Sequence, residues 1–266
     1  MKTMKIIITG KGGTGKTSIA AALSLQLSEF GYKVLALDAD SFPNMARSFG
    51  LPQDVVDSII PLARNEELVR ERTGAAPGEG WGLLFSLTPK VDDIAEKYGI
   101  EVNSNLRLVV IGGIEQPKEG CMCPAIALAK AFLRHVLLNS QEVVIVDSEA
   151  GLEVMGRGLA ERFDMNICVA EPTLKALDAC TKIIEMSELL SIRDKVLIVN
   201  KVKSLKNLEK LLGSFQESYD VPFFVIRYDP SLEELEQRGA SIAESSGSTF
   251  WLDVGRVAKH VIASMR

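Results

Sequence analysis

The stretch Gly10-Lys11-Gly12-Gly13-Thr14-Gly15-Lys16-Thr17 leaves this chain few folds to choose from. Glycines at this density let successive backbone N–H groups curl around an anion, and a lysine followed by a hydroxyl residue completes a phosphate-binding loop. Lys16 is placed to reach the β- and γ-phosphates of a nucleotide, with the Thr17 hydroxyl on magnesium. The N–H groups of Gly12, Gly13, Thr14, Gly15 and Ser18 lie along the same turn. The flanks agree with this reading. Lys5-Ile6-Ile7-Ile8-Thr9 reads as a buried strand, and Ser18 to Phe30 as a helix that Gly31 stops.

Further short apolar runs follow at Lys33–Leu37, Leu106–Ile111, Glu142–Val146, Asn166–Ala170, Lys195–Val199 and Phe223–Ile226, separated by helical stretches. Such alternation predicts an α/β fold of three layers, a mostly parallel, twisted sheet covered by helices on both faces. The 266 residues are read as a single domain, 1–266, with an elaboration at about 52–103 that is too short to own a core. Within it, Thr73 to Gly80 has the glycine and proline of a loop, and Trp81 to Leu87 reads as an added strand. A formal charge of −5 argues against holding nucleic acid by bulk charge, which needs a basic face to displace counterions. No apolar run approaches the roughly 18 residues of a membrane span, and the first residues already enter a strand, so neither stable membrane insertion nor a signal peptide is expected. The expected location is the cytoplasm, with the four cysteines reduced.

Acidic residues stand where a magnesium ion would need them. Lys33–Leu37 runs into Asp38-Ala39-Asp40, and the strand Val143-Val144-Ile145-Val146 ends in Asp147. Gly151, four residues beyond Asp147, is placed to sense a γ-phosphate through its N–H. Asn200-Lys201-Val202-Lys203 follows a strand as the base-reading motif of GTPases does. Its fourth position is Lys203, whose donors cannot accept the guanine N1 and N2 protons, so ATP is favoured over GTP. Asn200 is left to hydrogen-bond adenine, with Tyr228-Asp229-Pro230 a second wall of the base pocket. Lys201, Lys203, Lys206 and Lys210 also read as a solvated helix face. The amphipathic C-terminal segment from Phe250 is expected to pack on the sheet through Trp251, Leu252, Val254, Val257, Val261 and Ile262.

Cys121-Met122-Cys123 is a second chemical feature. Pro124 favours a first helical turn, which puts Cys123 near a helix N-terminus where the dipole lowers a thiol's pKa. Two thiolates cannot close a site for a soft metal such as nickel or zinc. His135 lies twelve residues along the helix, roughly 18 Å away at 1.5 Å per residue. Cys168, in a strand, and Cys180, on a helix, are expected to pack in the core. A twofold dimer in which each subunit contributes Cys121 and Cys123 supplies an S4 site on the axis.

With these residues in hand the chain resembles the deviant Walker A ATPases, the group of MinD, ParA and the nitrogenase iron protein, through Lys11 in the loop. Within that group it is most similar to the CooC-type ATPases that mature nickel enzymes such as carbon monoxide dehydrogenase. The similarity runs through KGGTGKTS, LDADSFPN, LTPKVDDIAEKYG, GCMCP, VDSEAGLEVMGRG and IRYDPSLEELEQRGASI. Glu115-Gln116-Pro117-Lys118-Glu119 replaces the usual glycine-rich run before the cysteines, and Val154 stands where a histidine is usual. The resemblance implies a P-loop NTPase fold and ATP hydrolysis in a homodimer formed with ATP or metal, with Lys11 crossing to the partner's nucleotide. It implies further that Asp40 positions the attacking water, that Asp38 and Asp147 support magnesium, and that the client is a nickel enzyme. The alternatives are a positioning ATPase acting on membranes or DNA, and an electron-transfer ATPase with an intersubunit [4Fe–4S] cluster.

Overall fold

The computed structural model describes residues 3–77, 85–113, 122–140, 142–148, 160–206, 208 and 220–265. Eight strands form one sheet: β1 (Lys5–Thr9), β2 (Val34–Ala39), β3 (Ile100–Asn103), β4 (Leu106–Val110), β5 (Val143–Ser148), β6 (Met165–Ala170), β7 (Asp194–Val202) and β8 (Phe223–Arg227). Their order across the sheet is β3-β4-β2-β5-β1-β6-β7-β8. All neighbours run parallel except β3 and β4, which form an antiparallel edge.

Why the strands read as unbroken apolar runs is clear from where their side chains go. Successive residues alternate between the two faces, and both faces are covered, so each run divides between two cores. Ile7, Leu37, Val146 and Val199 join the helices Glu66–Thr73, Cys123–Asn139 and Leu174–Leu189 on one side. Ile6, Ile8, Ala36, Ile145 and Ile198 join the helices Lys16–Glu29 and Thr249–Ser264 on the other. Each fully buried aliphatic or aromatic side chain contributes about 1.5–3 kcal/mol by leaving water.

The first helix spans Lys16–Glu29 and ends as expected, Gly31 at φ 85 donating to Ser28 and Tyr32 to Leu27. The final helix is capped by Ser248, whose side chain accepts from Trp251 N, and it packs Phe250, Trp251, Val254, Val257 and Val261. Leu252, expected on that face, is instead exposed. The helix is also tied to the sheet edge by Asp253, buried and accepting from Arg227 Nε at 2.8 Å and Nη2 at 2.9 Å.

Two further readings of the sequence need correction. Cys168 and Cys180 do pack in the core, but as a disulfide and not as reduced thiols. Helix Leu174–Leu189 lies on β6 with the two Cα atoms 5.8 Å apart, inside the range a disulfide spans. Of the stretch Trp81–Leu87, residues 81–84 lie outside the described residues and 85–87 are not in a strand; the added strand is Ile100–Asn103.

Candidate functional site

The glycine-rich loop leaves β1 and turns directly into the first helix. Gly10 has φ 134, and a Cβ there would strike the carbonyl of Val169 on the neighbouring β6. Gly15, at φ 90, is the helix N-cap and carries no side chain to satisfy the first-turn N–H groups. No acidic residue lies in that turn. The unpaired donors and the positive end of the helix dipole therefore face the loop's interior, an arrangement suited to an anion. Lys16 is buried and its Nζ donates to the carbonyl of Lys11 at 3.1 Å, holding an ammonium inside the loop. Lys11 itself is exposed.

Strand register assembles the acids. Asp38 on β2 is the Cα partner of Asp147 on β5, and Asp147 is in turn the partner of Ile8 on β1. Both carboxylates thus hang beside the loop on the face of the first helix, and Thr17 Oγ1 donates to Asp147 Oδ2 at 2.6 Å. The other oxygen of Asp147, Oδ1, is buried without a hydrogen-bond partner. Asp38 is spent differently. Its Oδ1 accepts from Asp40 N at 3.2 Å and its Oδ2 from Met45 N at 2.9 Å, fixing the loop that follows β2. Its backbone carbonyl accepts from Ile111 N at 2.8 Å and Gly112 N at 3.2 Å, just beyond β4. Asp40 accepts from Phe42 N at 2.9 Å.

From the other side, β7 braces the loop. Asn200 Nδ2 donates to the Thr14 carbonyl at 2.8 Å, and Lys201 Nζ donates to the Gly13 carbonyl at 2.6 Å while pairing with Glu171 at 2.8 Å. Lys201 sits at φ 58, a left-handed conformation uncommon for a residue with a side chain. Lys201 is therefore a strut and not part of a solvated helix face; Lys206 is exposed on a helical turn and Lys210 lies outside the described residues. Glu171 was missed because nothing local marks it. Its position directly after β6, the strand beside β1, was the available signal.

Cys123 is exposed and opens the helix Cys123–Asn139, with Pro124 in its first turn as expected. Cys121, Gly151, Val154 and Glu115 to Glu119 lie outside the described residues. His135 is on the same helix as Cys123, twelve residues on.

Residues 5–242 match the CobQ/CobB/MinD/ParA nucleotide-binding domain. The chain belongs to that family. Its members are ATPases of the deviant Walker A group, and this chain is an ATPase of the CooC type within it. It is 35% identical to the carbon monoxide dehydrogenase accessory protein CooC of Rhodospirillum rubrum over 243 residues, 91% of this chain and 90% of that one. An uncharacterized ATP-binding protein of Methanocaldococcus jannaschii is 42% identical over 201 residues, 76% of each chain. The fold is that of the septum site-determining protein MinD of Pyrococcus horikoshii in complex with Mg-ADP, with a TM-score of 0.65 at 22% identity, covering 98% of this chain and 96% of that one.

The residues present fit the magnesium ion that accompanies ATP in this CobQ/CobB/MinD/ParA family. A buried carboxylate oxygen without a partner, beside a threonine hydroxyl and a second carboxylate, is a donor set that suits a hard, partly hydrated cation. Among the described residues no helix is long and apolar enough to cross a membrane.

Without the cation these acids are costly to ionise. Burial, then the neighbouring Asp38 charge, pushes Asp147 up to about 7, and burial pushes Asp38 up to about 6. A carboxyl raised above its ordinary 3.8 takes up protons on folding. Its contribution to stability is whole below that value and is lost as pH rises through 6 to 7. In the absence of nucleotide and magnesium, the wild-type Tm should therefore fall between about pH 5 and pH 8 relative to that of Asp147→Asn, whose amide does not titrate. Parallel pH profiles of the two proteins, by calorimetry, would count against this protonation scheme. Hydrolysis should run the other way, falling on acidification as Asp147 is protonated.

Proposed function

We propose that this ATPase is a metallochaperone that inserts nickel into a client metalloenzyme in the cytoplasm, with carbon monoxide dehydrogenase the client. The observation that carries the reading is its relationship to CooC along nearly the whole length of both chains. The cysteine pair Cys121-Met122-Cys123 supplies the chemistry such a role requires.

In this reading the N–H groups of Gly12, Gly13, Thr14, Gly15, Lys16, Thr17 and Ser18 hold the phosphates, and Lys16 leaves the Lys11 carbonyl for the β- and γ-phosphate oxygens. Thr17 and Asp147 hold magnesium, which supplies neutralising charge at the transferring phosphoryl group. Asp38 supports that site by fixing the loop that carries Asp40, and Asp40 orients the attacking water. Gly151 senses the γ-phosphate, and Asn200 and Lys201 define the base side. Lys11, exposed at the rim, completes the site of a second subunit across a twofold axis. The same dimer brings two Cys121 and two Cys123 together around one nickel or zinc ion as an S4 set. ATP binding tightens the dimer and hydrolysis releases the metal to the client.

The decisive experiment is activation of purified apo carbon monoxide dehydrogenase by limiting nickel. The protein with Mg-ATP should raise the rate of activation several-fold over nickel alone, and ADP should not. An unchanged rate would remove the nickel-insertion role while leaving the ATPase intact.

A further inference from the structure

The ends of β6, β7 and β8 carry polar groups that the phosphate and magnesium chemistry does not use. The acids Asp38 and Asp147 occupy the β2 and β5 side of the loop, so the γ-phosphate end of a bound nucleotide points that way. Its base must then lie toward β6, β7 and β8, above the carboxyl ends of the strands where ligands of such sheets bind. Asn200 and Lys201 already reach from β7 to the loop, which brings the start of the next segment, at Lys203, to the same edge.

At that edge the carboxylates are engaged. Glu171 pairs with Lys201 at 2.8 Å, and Glu233 accepts from the Tyr228 hydroxyl at 2.8 Å. Asp229 accepts from Ser231 N and Oγ, Thr249 Oγ1 and Phe250 N, all between 2.7 and 3.2 Å. Lys203, by contrast, is exposed, and its Nζ lies 4.3 Å from the centroid of the Tyr228 ring. The ring steadies the ammonium by cation–π attraction while leaving its protons available, and the Glu233 bond fixes the ring.

We propose that Lys203, steadied on Tyr228, reads the Watson–Crick edge of the purine, admitting adenine and rejecting guanine. Adenine presents an acceptor at N1 to a lysine that has donors alone. Guanine presents N1–H and N2–H, and the acids that would receive them are held elsewhere. The inference rests on the loop being an ATP site, and it adds the residues that make the choice.

The test is displacement of a fluorescent ribose-labelled ADP by ATP or by GTP from the full-length protein. Lys203→Asp restores the carboxylate of a guanine-reading motif and should lower the preference for ATP over GTP by about tenfold or more, with GTP affinity itself rising. Lys206→Asp makes the same change of charge nearby and should weaken both nucleotides alike, leaving their ratio unchanged. Tyr228→Leu should lose part of the preference by freeing the lysine. An unaltered ratio in Lys203→Asp, or an equal shift in Lys206→Asp, would overturn the proposal. Failure of the wild type to bind either nucleotide would overturn the loop assignment and this inference together.

Discussion

Lys11→Ala should bind ATP but hydrolyse it about 10³-fold more slowly, the scale of a cationic residue supplied in trans to a transferring phosphoryl group. The expectation follows from the contrast between the two loop lysines. Lys16 is buried with its ammonium on the Lys11 carbonyl, inside its own loop, whereas the Lys11 side chain is exposed and contributes only its backbone to that contact. A residue that acts on its own nucleotide cannot be rescued by another chain, and one that acts across an axis can. Mixing Lys11→Ala with Asp147→Asn should therefore restore hydrolysis, because the first protein keeps an intact site and the second donates its Lys11. Phosphate release by the mixture no greater than the sum of the separate variants would place Lys11 in its own subunit.

The second large effect concerns the cysteines. Replacing Cys121 and Cys123 together by alanine should abolish stoichiometric nickel or zinc binding, a loss of more than about 10³-fold in affinity, because an S4 site draws essentially all of its metal affinity from its thiolates. ATP binding should be unchanged, since Cys123 opens a helix on the opposite face of the sheet from the first helix. Anaerobic metal titration with sedimentation, with and without ATP, reads both quantities at once. Undiminished metal binding by the double variant would put the metal elsewhere.

What could be read from the residues alone was whatever local sequence specifies. β1, the loop, the first helix and its Gly31 stop follow from an apolar run, a glycine cluster and a C-terminal glycine, all within contiguous sequence. The acids at the ends of β2 and β5 were identifiable singly. Their pairing was not, because strand order is set by packing between distant segments, and only register makes Asp38 the neighbour of Asp147. β3 escaped for a different reason. Its residues are exposed or half-buried on an edge, so it lacks the apolar run of the central strands, although Asn103-Ser104-Asn105 offered a hairpin signal. Lys201 was read both as a nucleotide contact and as a solvated lysine; its strut to Gly13 depends on a positive φ that a lysine sequence does not announce.

Asp38 joins the two halves of the molecule's chemistry through main-chain bonds. Its carboxylate holds the segment that carries Asp40, and its carbonyl holds Ile111 and Gly112, the residues that lead from β4 toward the cysteines. Gly113 packs so closely on Ser41 that a Cβ would collide with it. Peptide groups, unlike side chains, survive most substitutions. The segment beyond Gly113 is thus free to diversify, as its Glu115 to Glu119 run has done, and to fit different metals or clients while the mechanical connection to the nucleotide loop is inherited unchanged.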